Sequence, residues 1–167
     1  MFLEMTVSSL SVDPFTNMPV VVLKDASGER NVAIWIGLGE ASAIATELEK
    51  IKLDRPMTHD LMKTVLGLCQ ARVERVEIHD LRDNTFYATL YIQRADGTIV
   101  GVDARPSDAI AMALRARAPI RVDEKVIARA HKKALTIELA EPLLHDDVSF
   151  DAKLETLTDG AFGKWKM

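Results

Sequence analysis

The chain has 167 residues, 48% apolar and 28% charged, with a formal net charge of −4. That is enough material for one globular domain with a real core, and the acidic balance argues against a dedicated DNA-coating protein. No apolar run is long enough for a transmembrane helix, the acidic start Met1-Phe2-Leu3-Glu4-Met5 does not read as a secretory signal, and the lone Cys69 excludes an internal disulfide, so a single soluble, cytoplasmic domain is expected.

In chain order, strands are predicted near 4–12, 19–24 and 31–36, with Asp25-Ala26-Ser27-Gly28 as a loose turn. A helix then places Ala41, Ile44, Ala45, Leu48 and Ile51 on one face and ends before Arg55-Pro56. Thr58 is a good N-cap for the next helix, which is expected to carry Leu61, Val65, Leu66 and Cys69 inward. Further strands follow near 72–79, 86–93 and 98–103. The alternation of Phe86, Ala88, Leu90 and Ile92 with Tyr87, Thr89 and Tyr91 is the clearest strand pattern, and Asp96-Gly97 is a hairpin turn. Pro106 opens a helix through Leu114, Pro119 stops it, and Asp123 caps a short helix to about Ala134. Beyond Pro142 a loop and tail are expected, with the aromatics of Phe162–Met167 docking on the domain or on a partner.

The pattern repeats. Ala43-Ile44-Ala45 with Leu48 returns 66 residues later as Ala109-Ile110-Ala111 with Leu114. The same offset carries Val7, Leu10 and Val12 onto Val73, Val76 and Ile78, and Ile34 and Ile36 onto Val100 and Val102. In each first strand the side-to-side alternation slips once at the same place, which predicts a β-bulge in both. The expected fold class is therefore α+β: an internal duplication of a strand-strand-strand-helix-helix unit, with a mainly antiparallel sheet packed with helices. The duplicated domain is expected over 1–137, with halves of about 1–70 and 71–137, followed by an acidic C-terminal extension and tail over 138–167.

Polar residues gather where strands end and helices begin. In Asp103-Ala104-Arg105-Pro106-Ser107-Asp108, a helix N-terminus suits a phosphate, Arg105 can add a bidentate contact, and Asp103 and Asp108 can hold a divalent metal that activates water. Equally, Ser107 and Asp108 can cap the helix while Arg105 pairs with Asp103. In Arg55-Pro56-Met57-Thr58-His59-Asp60, His59 can act as general base or ligand and Asp60 can orient it; again a capped helix start accounts for both. Gly37 and Gly39 stand, by the repeat offset, where Asp103 and Arg105 stand in the second half. They permit close approach of a ligand or form a plain tight turn, and Glu40 beside them caps its helix or serves as an acid. Charge is polarised: 115–133 is +5, with Arg115, Arg117, Arg121, Lys125 and Arg129, whereas 138–159 is −6. There is no zinc-finger spacing, P-loop or serine-nucleophile elbow.

The runs Gly39-Glu40-Ala41-x-Ala43-Ile44, Arg55-Pro56-x-Thr58-His59-Asp60-Leu61 and Asp103-Ala104-Arg105-Pro106-Ser107-Asp108-Ala109-Ile110 resemble the bifunctional nuclease family of bacteria and plants, over roughly residues 5–130. The ending at Phe162–Met167 is similar to that of bacterial members. The resemblance implies a duplicated α+β fold and cleavage of both DNA and RNA. The C-terminal helical motif of nucleotide-excision-repair type that some members carry is not found here.

Two readings follow. In the first, a nuclease hydrolyses phosphodiester bonds. Asp103, Asp108, Asp60 and Glu40 bind a divalent metal such as Mg2+ or Mn2+ or activate water, His59 is base or acid, and Arg105 holds the scissile phosphate. Arg55, Arg115, Arg117, Arg121, Lys125 and Arg129 track the nucleic-acid backbone. In the second, the motifs are caps and ion pairs of a non-catalytic interaction module with a regulatory role. A sensor of a small anion or nucleotide at one helix N-terminus is a third possibility, and a homodimer is expected from the prevalence of symmetric dimers.

Overall fold

Hairpins build the sheet of the computed structural model, which describes residues 1–14 and 16–138, with side chains described through His131. Strands β1 (Phe2–Val12), β2 (Pro19–Asp25) and β3 (Asn31–Trp35) form one antiparallel meander, and β4 (Arg72–Arg82), β5 (Thr85–Gln93) and β6 (Ile99–Ala104) form a second. The β4–β5 turn is Asp83-Asn84, both at positive φ, the two-residue loop that suits the twist of a hairpin. Between β5 and β6 it is Gly97, at φ 83°, that takes the left-handed conformation.

A short strand, β7 (Ile120–Asp123), joins the meanders. It runs antiparallel to β1, with Ile120 opposite Met5, and parallel to β4, with Ile120 opposite Val76. The result is one mixed, mostly antiparallel sheet of seven strands in the order β3-β2-β1-β7-β4-β5-β6. With its four helices the fold is α+β, as expected. β7 is not in the expected set: four residues between Pro119 and a helix carry no hairpin signal, and their partners lie far away in sequence.

Both expected bulges are present. The register slips between Val7 and Ser9 in β1 and between Val73 and Arg75 in β4, leaving Ser8 and Glu74 as the extra residues. A further slip, between Ile78 and Asp80, has no counterpart in the pairing of β1 with β2.

Helix α1 (Leu38–Leu48) buries Ala41, Ala43, Ile44 and Ala45, while α3 (Pro106–Ala116) opens on its proline and buries Ala109, Ile110, Met112 and Ala113. These pack with Val21, Leu23, Val76, Ile78, Ala88 and Leu90 of the sheet in a single core. α1 stops earlier than its apolar pattern suggests, so Ile51 lies in the following loop, half exposed. The Oδ1 of Asp123 caps α4 (Glu124–Glu138) by accepting from the Lys125 N–H at 2.9 Å, and Val126 and Ile127 enter the core.

Helix α2 (Thr58–Leu68) departs most from expectation. Leu61, Val65 and Cys69 are exposed rather than buried; of the expected inward set only Leu66 is partly buried. The physical reason is that α2 meets α3 through polar contacts. His59, one turn on Lys63, and Asp60 all bond to α3, so the apolar stripe of Leu61, Met62, Val65 and Leu68 is left facing outward. The acidic extension beyond 138 and the Phe162–Met167 ending lie outside the described residues. Among the described residues no helix is long and apolar enough to cross a membrane.

Candidate active site

Three helix starts converge. The first turns of α1 and α2 and the N-cap of α3 border one cleft of about 740 Å³, lined among others by Glu40, Thr58, His59, Asp103, Arg105 and Asp108. Each N-terminus leaves unpaired backbone N–H groups and a partial positive charge of roughly half an elementary unit. The cleft is therefore suited to an anion, although Glu40 and Asp108 place carboxylates in it.

Arg105 organises those carboxylates. Its Nε and one terminal nitrogen donate to the Asp108 carboxylate at 2.7 and 3.2 Å, and its other terminal nitrogen donates to Glu40 Oε1 at 2.7 Å. His59 Nε2 lies 3.1 Å from Asp108 Oδ1. With Asp108 ionised, that contact is an N–H donated by His59, which leaves Nδ1 as its basic nitrogen. Burial alone would raise the Asp108 pKa; the hydrogen bonds and charges of Arg105 and His59 outweigh it and hold the carboxyl below the usual aspartate range. Glu40, Arg105, Asp108 and His59 thus form one continuous chain of contacts across α1, α3 and α2. Arg105 pairs with Asp108 and Glu40, not with Asp103.

Gly37 makes part of this possible. A Cβ at Gly37 would run into the Glu40 carboxylate, so the absent side chain provides the space in which Glu40 reaches Arg105.

Asp103 borders the same cleft from β6 but makes no side-chain hydrogen bond or ion pair among the described residues. Its neighbours Val102 and Ala104 pair with Leu90 and Ala88, which point into the core, so strand alternation turns Asp103 to the Thr89 side. Asp60 is engaged elsewhere. Its Oδ2 accepts the Met57 N–H at 2.9 Å, capping α2, and its Oδ1 accepts from Arg115 Nε at 2.6 Å. Arg115, expected on an exposed basic face, is buried; its guanidinium also donates to the carbonyls of Ala43 at 2.9 Å and Ala111 at 3.2 Å. One buried side chain therefore ties α1, α2 and α3 together behind the cleft. Burial would raise the Asp60 pKa, but the Arg115 and Met57 hydrogen bonds prevail and lower it.

The other basic residues singled out lie away from the cleft lining. Arg55 is in the loop before α2, Arg117 ends α3 in a left-handed conformation, and Arg121 and Lys125 are exposed on β7 and α4. Arg129 donates to Asp80 at 2.7 Å and to the Leu81 carbonyl at 3.0 Å. Sequence reasoning missed the apolar wall of the cleft, formed by Met57, Met62, Met112, Leu90 and Val102. Its signal was present: Met62 follows His59 by three residues and Met112 follows Asp108 by four, the spacings that share a helix face. Among the described residues no three His, Cys, Asp or Glu side chains are grouped to hold a metal ion.

A model of the bifunctional nuclease domain matches residues 21–134. The chain is 42% identical over 127 residues to an uncharacterised protein of Mycobacterium tuberculosis, in two strains, covering 76% of this chain and 75% of that protein. It is also 27% identical over 81 residues to bifunctional nuclease 1 of Oryza sativa subsp. japonica, covering 47% of this chain and 24% of the rice protein. The chain belongs to the bifunctional nuclease domain family.

Proposed function

We propose that the chain is a nuclease that hydrolyses phosphodiester bonds of DNA and RNA at the Glu40–Arg105–Asp108–His59 cluster. The observation that carries this reading is the convergence of three helix N-termini on a cleft holding an exposed arginine and a histidine–carboxylate pair. Arg105 meets the phosphate by exchanging a carboxylate partner for a phosphate oxygen. His59 takes a proton from water, the water oxygen bonds to phosphorus, and the bond from phosphorus to one sugar oxygen breaks. That oxygen leaves with a proton from solvent, giving a phosphomonoester and a hydroxyl end. Asp108 holds the imidazole in place through its contact with Nε2. Asp103 borders the cleft from β6, with its side chain turned to the Thr89 side of the strand. Arg55, Arg117, Arg121, Lys125 and Arg129 serve as outlying backbone contacts.

No step is routed through a metal, since Glu40 and Asp108 are already engaged. Magnesium or manganese dependence is instead a variable of the assay, with Asp103 and Asp108 as the residues to test. The two halves read as copies of one unit, on the strength of bulges 66 residues apart. The outward apolar stripe of α2 favours a homodimer, and the cytoplasm is the expected compartment.

A non-catalytic interaction module is the second reading. It is favoured by the mutual satisfaction of Glu40, Arg105, Asp108 and His59, which could simply hold the helix starts together. Purified wild type, Arg105→Ala and Asp103→Ala, assayed on single-stranded DNA and RNA with magnesium, manganese or chelator, separate the two. Cleavage that Arg105→Ala abolishes supports the nuclease. Equal cleavage by all three proteins points to a contaminant and sinks it.

A further inference from the structure

The cleft has two kinds of lining. Arg105 and the starts of α1, α2 and α3 contribute its polar lining, and Met57, Met62, Met112, Leu90 and Val102 contribute an apolar one. An apolar wall does nothing for a phosphate, and a duplex keeps its bases stacked away from any such surface. We propose that this wall receives one unpaired nucleobase of the strand whose phosphate meets Arg105, so that the substrate is bound single-stranded or with one nucleotide turned out of its stack. This rests on the nuclease reading of the same cleft.

Three observations carry it. The apolar side chains line the same cleft as Arg105, so a base and its own phosphate share one cavity. The volume of about 740 Å³ lies within the range of small-ligand sites. Two lining methionines, Met57 and Met62, are partly exposed, and their flexible and polarisable thioethers adapt to flat rings of different size, with the buried Met112 backing the wall. Extruded bases are held between apolar or aromatic side chains in enzymes that act on unstacked nucleotides. The lining contains no Asn or Gln to read a base edge by paired hydrogen bonds, and Glu40, Arg105, Asp108 and His59 are bonded to one another. The subsite therefore accepts any base, and a sugar with or without its 2′-hydroxyl.

The full chain labelled with 13C at its methionine methyls gives a readout that needs no catalysis. The chain has seven methionines, of which three line the cleft. Thymidine 5′-monophosphate and adenosine 5′-monophosphate are expected to shift the methyls of Met57, Met62 and Met112 through ring currents. Met1, Met5 and Met18 should stay in place. Ribose 5-phosphate and inorganic phosphate are expected to leave all three cleft methyls unmoved. In the companion assay, an oligonucleotide with one abasic residue should be cut about tenfold more slowly there, the size of losing one base contact. A blunt duplex should be cut similarly slowly. Met62→Glu, at a half-exposed position, should weaken nucleotide binding without altering the circular dichroism. Silent methyls together with equal cleavage of abasic, single-stranded and duplex substrates would overturn the base subsite while leaving the nuclease standing. Shifting methyls with no cleavage by wild type would overturn the nuclease and keep the subsite. Methyl shifts that instead follow protein concentration would assign the wall to a second copy of the chain and also overturn it.

Discussion

Helix α3 carries an arginine at each end, and each is bonded to an aspartate at nearly the same distance: Arg105 to Asp108 at 2.7 Å and Arg115 to Asp60 at 2.6 Å. Their surroundings differ. The Arg115 side chain is 2% exposed and donates to two backbone carbonyls besides, whereas that of Arg105 is 66% exposed and touches only carboxylates. Burial decides what the same pairing does. A desolvated guanidinium with fixed carbonyl acceptors cannot exchange partners without stranding polar groups, so Arg115 is structural. A solvated one exchanges a carboxylate for a phosphate at little cost, so Arg105 is available for chemistry.

The largest effect expected from this contrast is on stability. Arg115→Met should lower the free energy of unfolding by about 3 kcal/mol, because it leaves Asp60 and the Ala43 and Ala111 carbonyls without their partner. Arg105→Met should stay within about 1 kcal/mol. Urea denaturation of the two variants checks both values, and equal losses would break the contrast. Activity should sort the other way. Arg105→Ala is expected to reduce kcat about 100-fold, the usual cost of removing one preorganised donor to a transition state. His59→Gln should lose activity to a similar degree without loss of stability beyond about 1 kcal/mol, as read by the same denaturation.

Acid separates the pairs by a different route. Asp60 and Asp108 both titrate below the ordinary aspartate value of 3.8 in the folded chain. Each therefore contributes stability that is complete above that value and is lost as pH falls through the depressed folded value. Wild type should lose stability progressively below about pH 4. Asp60→Asn should be less stable than wild type at neutral pH and show a shallower decline on acidification, measured by thermal melts between pH 2 and 6. An unchanged slope would mean that the Asp60 carboxylate is not stabilised by Arg115.

The sequence made the local half of this arrangement legible. Hairpin chemistry at Asp96-Gly97, the alternation of 86–92 and the slipped periodicity at Val7 and Val73 marked the meanders and both bulges, because each is a property of neighbouring residues. The Arg105–Asp108 pair spans three residues and was within reach of sequence, which offers Asp103 as a partner just as readily. The long-range half was not legible. His59 with Asp108, Glu40 with Arg105 and Asp60 with Arg115 are separated by 49, 65 and 55 residues. β7 exists only through partners at Met5 and Val76. The same reason inverted α2. Apolar periodicity marks a helix face, but whether that face turns inward depends on what the neighbouring helix offers, and α3 offers Asp108, the Arg115 carbonyl and the Arg115 guanidinium.

The smallest expected effect sharpens the exposed side of the contrast. Gly37→Ala places a Cβ where the Glu40 carboxylate now sits, and the atom in the way is the end of a flexible side chain, so Glu40 rather than the backbone should yield. Gly37 has an extended φ of −76°, which alanine adopts freely, and stability should change by less than about 0.5 kcal/mol. Displacing Glu40 takes one carboxylate from Arg105 and lowers the negative charge against which a phosphate must bind. KM for a short oligonucleotide should therefore fall about threefold, in keeping with the modest worth of an exposed ion pair, while kcat should not rise. Glu40→Gln should reproduce the fall, because it removes the charge and leaves the glycine alone. If Gly37→Ala instead costs more than about 1 kcal/mol and leaves KM unchanged, the glycine serves the helix start, and Glu40 is as fixed a partner of Arg105 as Asp60 is of Arg115.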